Sequence, residues 1–222
     1  ISWTYGSGGV NIGFKLADKL KINFYDAEIF EAVLKRLEAQ KDSIQDSVSY
    51  GIKPGIKKEQ AHDQDANVNP SEAFIPERHL TLRQRMREFS RFHGLPKRDA
   101  VFFNESDLLV DMAKKEDFVI LGRCGDAIMA NNNIPHISIY ITAPFEQRIK
   151  RAMEIDSSLT VKQARHMLKH LDHVHSQYYH YYTNRNWGHS NNYDLCINSA
   201  SYGIDGTVDF IYRMITAREE DK

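Results

Sequence analysis

A glycine-rich segment near the start of the chain has the residue types that bind phosphate. It follows the apolar stretch Ile1–Thr4 and precedes an amphipathic helical pattern. Glycines permit positive φ angles and close backbone approach, so successive N–H groups can converge on an anion at the positive end of the next helix. The candidate phosphate-binding residues are Gly6, Ser7, Gly8, Gly9 and Gly13.

This segment lacks the lysine that phosphate loops usually carry. Gly8 and Gly13 have the separation of the two glycines of such a loop, but Phe14 follows Gly13 and Lys15 comes one position late. One helical step rotates a side chain by about 100°, so Lys15 should not point into the loop. The alternative interpretation is a glycine-rich turn between a strand and a helix that binds no ligand.

Two charged side chains follow a second apolar strand. Arg123 and Asp126 come directly after the run at 118–121, at the carboxyl edge where open α/β sheets bind ligands. The planar fork of Arg123 suits a phosphate, and Asp126 could orient it or accept a hydrogen bond from a base or sugar. The alternative is a structural Arg–Asp pair.

Two arginines share one face of a helix that follows another strand. Arg148 and Arg151 are three residues apart, shortly after Ala143-Pro144. Their guanidinium groups could hold a transferring phosphoryl group or flank a base. The alternative is a pair of surface side chains.

A later segment is dense in aromatic and charged residues. Its candidates for function are Asp172, Tyr178, Tyr182, Arg185 and Trp187. The histidines at 170, 173 and 175 cannot all lie on one helical face, so no metal site is expected. The aromatic residues could form core packing or a platform for stacking a base.

Strands and helices alternate along the chain. Strands are predicted at 1–4, 22–26, 118–121, 137–142 and 195–198, and helices after the glycine loop, at 28–40, at 102–114, after Pro144, at 161–182 and at the end. This alternation predicts a parallel sheet with helices on both faces. The polar stretch at about 40–76 is expected to be an insertion with loops, and the basic segment at 78–98 a solvated helix face.

Composition limits the classes of function. The chain has 222 residues, 29 Lys and Arg and 30 Asp and Glu, so no global field favours nucleic acid or an anionic membrane. Two cysteines indicate neither a disulfide framework nor a zinc site, and reduced cytoplasmic thiols are expected. No apolar run approaches the length of a membrane span, and no signal peptide is expected before Ile1. The missing initiator Met indicates that a few residues of the first strand precede Ile1.

Together these segments resemble the cytidylate-kinase-like family of P-loop nucleoside monophosphate kinases. The matching segments are 5–9, 24–26, 119–126, 143–144 with Arg148, Ile149 and Arg151, and 178–198 with Trp187-Gly188 and 192–196. Their order and spacing cover nearly the whole chain outside the polar insertion.

The resemblance implies a single P-loop NTPase-type domain over 1–222, a three-layer α/β/α fold with a central parallel sheet. Its core is expected at about 1–27, 99–151 and 192–222, a helical monophosphate-binding insertion at about 28–98 and a lid at about 152–191. It implies transfer of the γ-phosphoryl of ATP, with Mg²⁺, to CMP or dCMP. The oligomeric state is left open.

The resemblance also implies roles for the candidate residues. The five loop residues would bind the ATP phosphates, and Asp26, Arg123 and Asp126 would bind the acceptor. Arg148, Arg151 and Arg185 would neutralise charge during transfer, and Asp172 would orient lid arginines. No metal ligand is assigned to the protein.

The chain departs from the family pattern at charged positions. Before its glycine loop the family carries Arg-Gln, where this chain has Trp3-Thr4. Within the loop it carries Arg-Glu, where this chain has Val10-Asn11. In the lid, Ile155, His173 and His175 stand where the family normally has basic residues. Arg83, Arg85 and Arg87 could compensate. Two alternatives stay open: a degenerate, catalytically weak nucleotide-binding or sensor module, and a kinase for a different small molecule.

Overall fold

The structure, a computed structural model, describes residues 1–26 and 97–220. Its strands are β1 (Ser2–Trp3), β2 (Asn23–Tyr25), β3 (Phe118–Ile120), β4 (Ile139–Thr142) and β5 (Leu195–Asn198). Its helices are α1 (Gly9–Leu20), α2 (Lys97–Ala113), α3 (Gly125–Asn131), α4 (Phe145–Ile155), α5 (Val161–Thr183) and α6 (Ser199–Glu220). A 3-10 turn at Ser190–Asn192 precedes β5, and Gly203 interrupts α6 with non-helical dihedral angles.

The strand pairs in this part of the chain are all parallel. β4 lies between β1 and β5, and β2 pairs with β3. The N-terminal amino group of Ile1 donates to the Ile120 carbonyl over 2.8 Å, and the Gly122 N–H donates to the Ile1 carbonyl over 2.9 Å. These bonds have the pattern of a parallel ladder. They give the order β2-β3-β1-β4-β5, with the carboxyl ends of the strands at one edge.

β3 shows how the sheet is covered on both faces. Val119 belongs to a buried cluster with residues of α1 and α6, whereas Phe118 and Ile120 pack on a cluster from α2, α3 and α5. Successive side chains of a strand point to opposite faces, so an all-apolar strand is buried on both sides. The result is a three-layer α/β/α arrangement, and the α/β fold with a central parallel sheet predicted from the sequence is confirmed.

Most element boundaries agree with the sequence pattern. α5 covers the predicted helix, and a capping box between Thr160 and Gln163 fixes its start. α2 includes residues 97–101, which come before the helix predicted at 102–114. The predicted helix at 28–40 and nearly all of the insertion at 28–98 lie outside the described residues. No helix in the described ranges combines the length and apolar character that crossing a bilayer requires.

Packing between α1 and α6 predicts that alanine substitutions at two adjacent residues of α6 lower the free energy of unfolding by very different amounts. Ile211 is fully buried in the cluster that contains Ile12 and Leu16 of α1, whereas Phe210 is 45% exposed. Ile211→Ala should lower the free energy of unfolding by about 2–5 kcal/mol because it opens a cavity. Phe210→Ala should cost about 1 kcal/mol or less. Urea denaturation measures both, and equal losses would contradict the assignment of this core.

Candidate active site

The loop between β1 and α1 contains two glycines in the left-handed region. Gly6 has φ 76° and Gly8 has φ 82°. A Cβ on Gly6 would lie 2.7 Å from the backbone oxygen of Arg148, and one on Gly8 would overlap Cδ1 of Ile204. A side chain at either position would be both strained and in collision. The loop therefore needs glycine at both positions, and its backbone lies directly against α4 and α6.

The first turn of α1 presents main-chain donors. Gly8 precedes the helix, no side chain caps it, and the first turn has no acidic residue. Orphan N–H groups and the helix dipole make such a terminus suitable for an anion. Ser7 beside it is fully buried, and its Oγ has no hydrogen-bond partner among the described residues. The loop thus offers main-chain amides and a buried hydroxyl where a lysine is usual.

The structure does not bring Gly13 to this loop. Gly13 lies inside α1, where a Cβ would be 2.9 Å from Leu121 and 3.1 Å from Phe24, so its role is close packing of the helix on the sheet. Because α1 begins at Gly9, the positions that usually hold Lys and Ser or Thr are Val10 and Asn11. Gly8 and Gly13 therefore have the spacing of the two glycines of a phosphate loop, but only Gly8 lies in the loop.

Lys15 points away from the loop, as its position in the sequence predicts. Its Nζ donates to Oδ1 of Asp205 on α6 over 2.5 Å, and both side chains are half or more exposed. Lys15 therefore joins α1 to α6 at the surface.

Two arginines of α4 hydrogen-bond to loop carbonyl groups. Nη1 of Arg148 donates to the Tyr5 carbonyl over 3.2 Å, and Nη1 of Arg151 donates to the Ser7 carbonyl over 2.5 Å. Arg151 also donates to Oγ of Ser199 over 3.1 Å. β4 lies beside β1 in the sheet, so α4, which follows β4, begins next to the loop. The structure thus brings both predicted arginines to the glycine loop.

Asp172 ties α5 to the same loop. Its Oδ1 accepts the Tyr5 N–H over 3.2 Å, and its Oδ2 accepts Nη1 of Arg148 over 2.6 Å. The two side chains of this ion pair are only 20% and 10% exposed. Asp172 therefore fixes both the loop backbone and Arg148, an arginine of the predicted core and not one of the lid arginines that it was expected to orient.

Among the described residues, Arg151 is the arginine of α4 that has no carboxylate partner. Both of its acceptors, the Ser7 carbonyl and the Ser199 hydroxyl, are uncharged. Its Nη1 is 3.2 Å from the position of a Cβ on Gly8. A guanidinium group beside the first turn of α1 adds to the positive potential there.

Arg123 is paired with a carboxylate that the sequence interpretation missed. Its Nη1 lies 3.1 Å from Oε1 of Glu105, and these side chains are 13% and 3% exposed. Asp126 accepts a 2.6 Å hydrogen bond from the Tyr179 hydroxyl. The sequence contained a signal for this pair. Glu105 lies three residues after Phe102, on the buried face of α2, and a buried carboxylate requires a cation.

An aromatic cluster lies between the loop and the residues after β3. The indole of Trp3 packs against Gly9 and reaches to 3.5 Å from the Cβ position of Gly122. The imidazole of His175 lies edge-on to Trp3 and to Trp187, each 5.7 Å away between ring centroids. The loop therefore has an aromatic side beside Gly9, formed by Trp3 at a position where the resemblance implies an arginine.

Burial keeps the polar rings on this side of the loop uncharged. Burial, with a smaller contribution from Arg123, lowers the pKa of His175 to about 4. Burial, followed by the charge of Asp172, raises the pKa of Tyr5 to about 12. The Tyr5 hydroxyl lies 3.4 Å from Nε2 of His175. Both groups are neutral at pH 7, so His175 does not replace a lid cation.

The other predicted residues lie at the periphery of this site. Asp26 follows β2 at the carboxyl edge of the sheet. Arg185 follows α5, and its guanidinium group makes no hydrogen bond or ion pair within residues 1–26 and 97–220. Arg83, Arg85 and Arg87 lie outside the described residues. In the described part, no group of three His, Cys, Asp or Glu side chains is close enough to hold a metal ion.

The buried ion pair predicts a strong effect of removing one charge. Asp172→Asn leaves the Arg148 guanidinium buried without its carboxylate, which should lower the free energy of unfolding by about 3–5 kcal/mol. The control is Glu146→Gln, which breaks the more exposed 2.7 Å pair between Glu146 and Arg165 and should cost at most about 1 kcal/mol. Chemical denaturation of the two variants checks this, and similar small losses would contradict it.

His175 predicts a loss of stability in weak acid. Its pKa is about 4 in the folded protein against about 6.5 in the unfolded chain. Between these values the unfolded chain binds a proton that the folded protein does not, so stability falls as the pH is lowered. This contribution is full above about pH 6.5 and should fall by about 3 kcal/mol by pH 4. As the pH is lowered across this range, the free energy of unfolding should fall by that amount more in wild type than in His175→Phe. Equal changes in the two proteins would contradict this prediction.

Comparison with known proteins points to one family and one fold. A sequence model described as the cytidylate kinase-like family matches residues 1–201. The chain is similar to the crystal structure of an uncharacterized protein from Eubacterium ventriosum ATCC 27560, with 24% identity, a TM-score of 0.65 and coverage of 97% of this chain and 96% of that one. Shikimate kinase from Bacteroides thetaiotaomicron aligns with 12% identity and a TM-score of 0.46, over 97% and 95% of the two chains. A search of curated proteins found no match.

Proposed function

We propose, from the premise that the chain belongs to the cytidylate kinase-like family, that it transfers a phosphoryl group from ATP to CMP or dCMP. The family supports a kinase for a nucleotide or other small molecule. The nucleoside monophosphate acceptor and the use of ATP with Mg²⁺ are the further steps of this proposal. Phosphoryl transfer asks a protein mainly for positioning and charge stabilisation, which backbone amides and guanidinium groups can supply.

One observation carries the proposal: the Arg151 guanidinium lies beside the uncapped start of α1. Within the described part of the chain, Gly8 leaves the first-turn amides without a side-chain cap, Arg151 has only uncharged acceptors, and the Ser7 hydroxyl is buried without a partner. Main-chain donors, an unbalanced cation and an unsatisfied hydroxyl together fit a phosphate chain. When bound, ATP supplies the transferable γ-phosphoryl group. Mg²⁺ would be held mainly by phosphate oxygens and water.

The acceptor would bind at the same edge of the sheet. Asp26 and Arg123 follow β2 and β3, which end beside the glycine loop, and Asp126 lies in the first turn of α3. The segment at about 152–191, which contains α5, would act as the lid. Its Asp172 already contacts the loop, so closure of this helix over the phosphates would exclude water.

A second candidate function is a nucleotide-binding sensor with little or no turnover. Specific observations favour it: Val10 and Asn11 occupy the positions of the usual lysine and hydroxyl, and Trp3 fills the space beside Gly9. Arg148 and Arg123 are also engaged by buried carboxylates. Such pairs would have to open, or share their donors, to bind phosphate.

The test is a coupled assay with ATP and CMP on three proteins. Wild type should phosphorylate CMP or dCMP. Arg151→Met should lower kcat/KM by about 10- to 150-fold, because a charge-assisted contact contributes about 1.5–3 kcal/mol. Arg165→Met should stay close to wild type, since Arg165 is an exposed arginine that pairs with Glu146.

The outcomes separate the candidate functions. Calorimetric binding of a non-hydrolysable ATP analogue without phosphoryl transfer to any acceptor would support the sensor. Transfer to another small molecule, but not to CMP or dCMP, would replace the acceptor and keep the kinase. Absence of binding by both the analogue and CMP would overturn both functions.

A further inference from the structure

Two peptide groups of the glycine loop are held by their carbonyl oxygens. The Tyr5 carbonyl accepts from Arg148, and the Ser7 carbonyl accepts from both Arg151 and Ser199. The C=O and N–H of a trans peptide point in opposite directions, and the described residues contain no cis peptide bond. The N–H groups of Gly6 and Gly8 therefore point away from the side chains that hold the carbonyls.

These two N–H groups are available to a ligand. Neither donates a hydrogen bond to another group in residues 1–26 and 97–220. Both belong to left-handed glycines, where alternating backbone conformations form a concave set of donors. Their direction depends on how firmly the preceding carbonyls are fixed.

Ser199 is the short side chain in this arrangement. It follows β5 directly, is fully buried, and donates from Oγ to the Ser7 carbonyl over 2.5 Å. It also accepts from Nη1 of Arg151 over 3.1 Å, so the carbonyl, the hydroxyl and the guanidinium form a closed set of three hydrogen bonds. A serine has one side-chain torsion to its Oγ, whereas an arginine has several, so Ser199 limits the orientation of the carbonyl more strictly.

We propose that Ser199 is a positioning residue for the phosphate loop. It fixes the peptide between Ser7 and Gly8 so that the Gly8 N–H faces the anion, and it makes no contact with the ligand itself. It also holds Arg151 in place beside the loop. This inference rests on the proposed function in one respect, which is that the ligand of the loop is a phosphate chain.

The experiment uses inorganic tripolyphosphate as the probe, so it requires neither a nucleoside nor turnover. Titration of ¹⁵N-labelled protein should shift the amide resonances of Gly6 and Gly8. Ser199→Ala should weaken tripolyphosphate binding by about 3- to 10-fold, the effect of losing one neutral hydrogen bond. Ser199→Thr keeps the hydroxyl and should restore the affinity. Ser201→Ala removes an exposed hydroxyl from the same segment and should match wild type.

Each result decides a different point. Unchanged affinity and unchanged Gly8 shifts in Ser199→Ala would overturn the positioning role. Wild-type binding that leaves the Gly6 and Gly8 resonances unmoved would overturn the direction of these amides, and absence of tripolyphosphate binding by wild type would overturn the phosphate site itself. Normal behaviour here with no transfer to CMP, dCMP or another acceptor would contradict the kinase and leave the role of Ser199 supported. A loss in Ser199→Ala that appears equally in Ser201→Ala would indicate general loosening and reject the proposal.

Discussion

The anchoring of the loop backbone by side chains from distant parts of the chain is the constraint on which this site depends. Arg148 and Arg151 hold two carbonyl groups, and Asp172 holds the Tyr5 N–H. A glycine loop has many accessible conformations, and ordering each residue costs about 1–2 kcal/mol of backbone entropy. Fixing the loop before a ligand arrives removes that cost from binding.

The charges around the loop follow from burial. Arg123 and Arg148 are largely buried, and each has a carboxylate partner because an isolated buried charge is expensive. Arg151 bonds to neutral oxygens of the described residues, so its charge can act on a ligand. The positive charge that a ligand would meet therefore comes mainly from Arg151 and not equally from all three arginines. The indole of Trp3 packs against Gly9, and the neutral ring of His175 lies edge-on to it.

The predicted elements and the predicted site differ in how far the sequence could specify them. Apolar runs located the five strands, because burial on both faces of a sheet leaves few other compositions for such segments. The glycine loop was also evident from the sequence. Gly13 was assigned to it wrongly, because a glycine that permits close helix–sheet packing looks the same in a sequence as one that shapes a turn. Where α1 begins depends on backbone geometry, which glycine spacing does not reveal.

The sequence by itself determined the α/β fold and the two arginines on one face of α4, since these depend on periodicity and local spacing, and it carried the resemblance to the family. Only the tertiary structure decided the partners. Arg148 meets Asp172, Arg123 meets Glu105, and Ser199 meets Ser7 across 192 positions of the chain. The physical reason is the strand order: placing β1 between β3 and β4 brings segments from throughout the chain to one edge of the sheet. A hydrogen bond or ion pair acts only over a few ångströms, so its partners are set by this arrangement and not by distance along the chain.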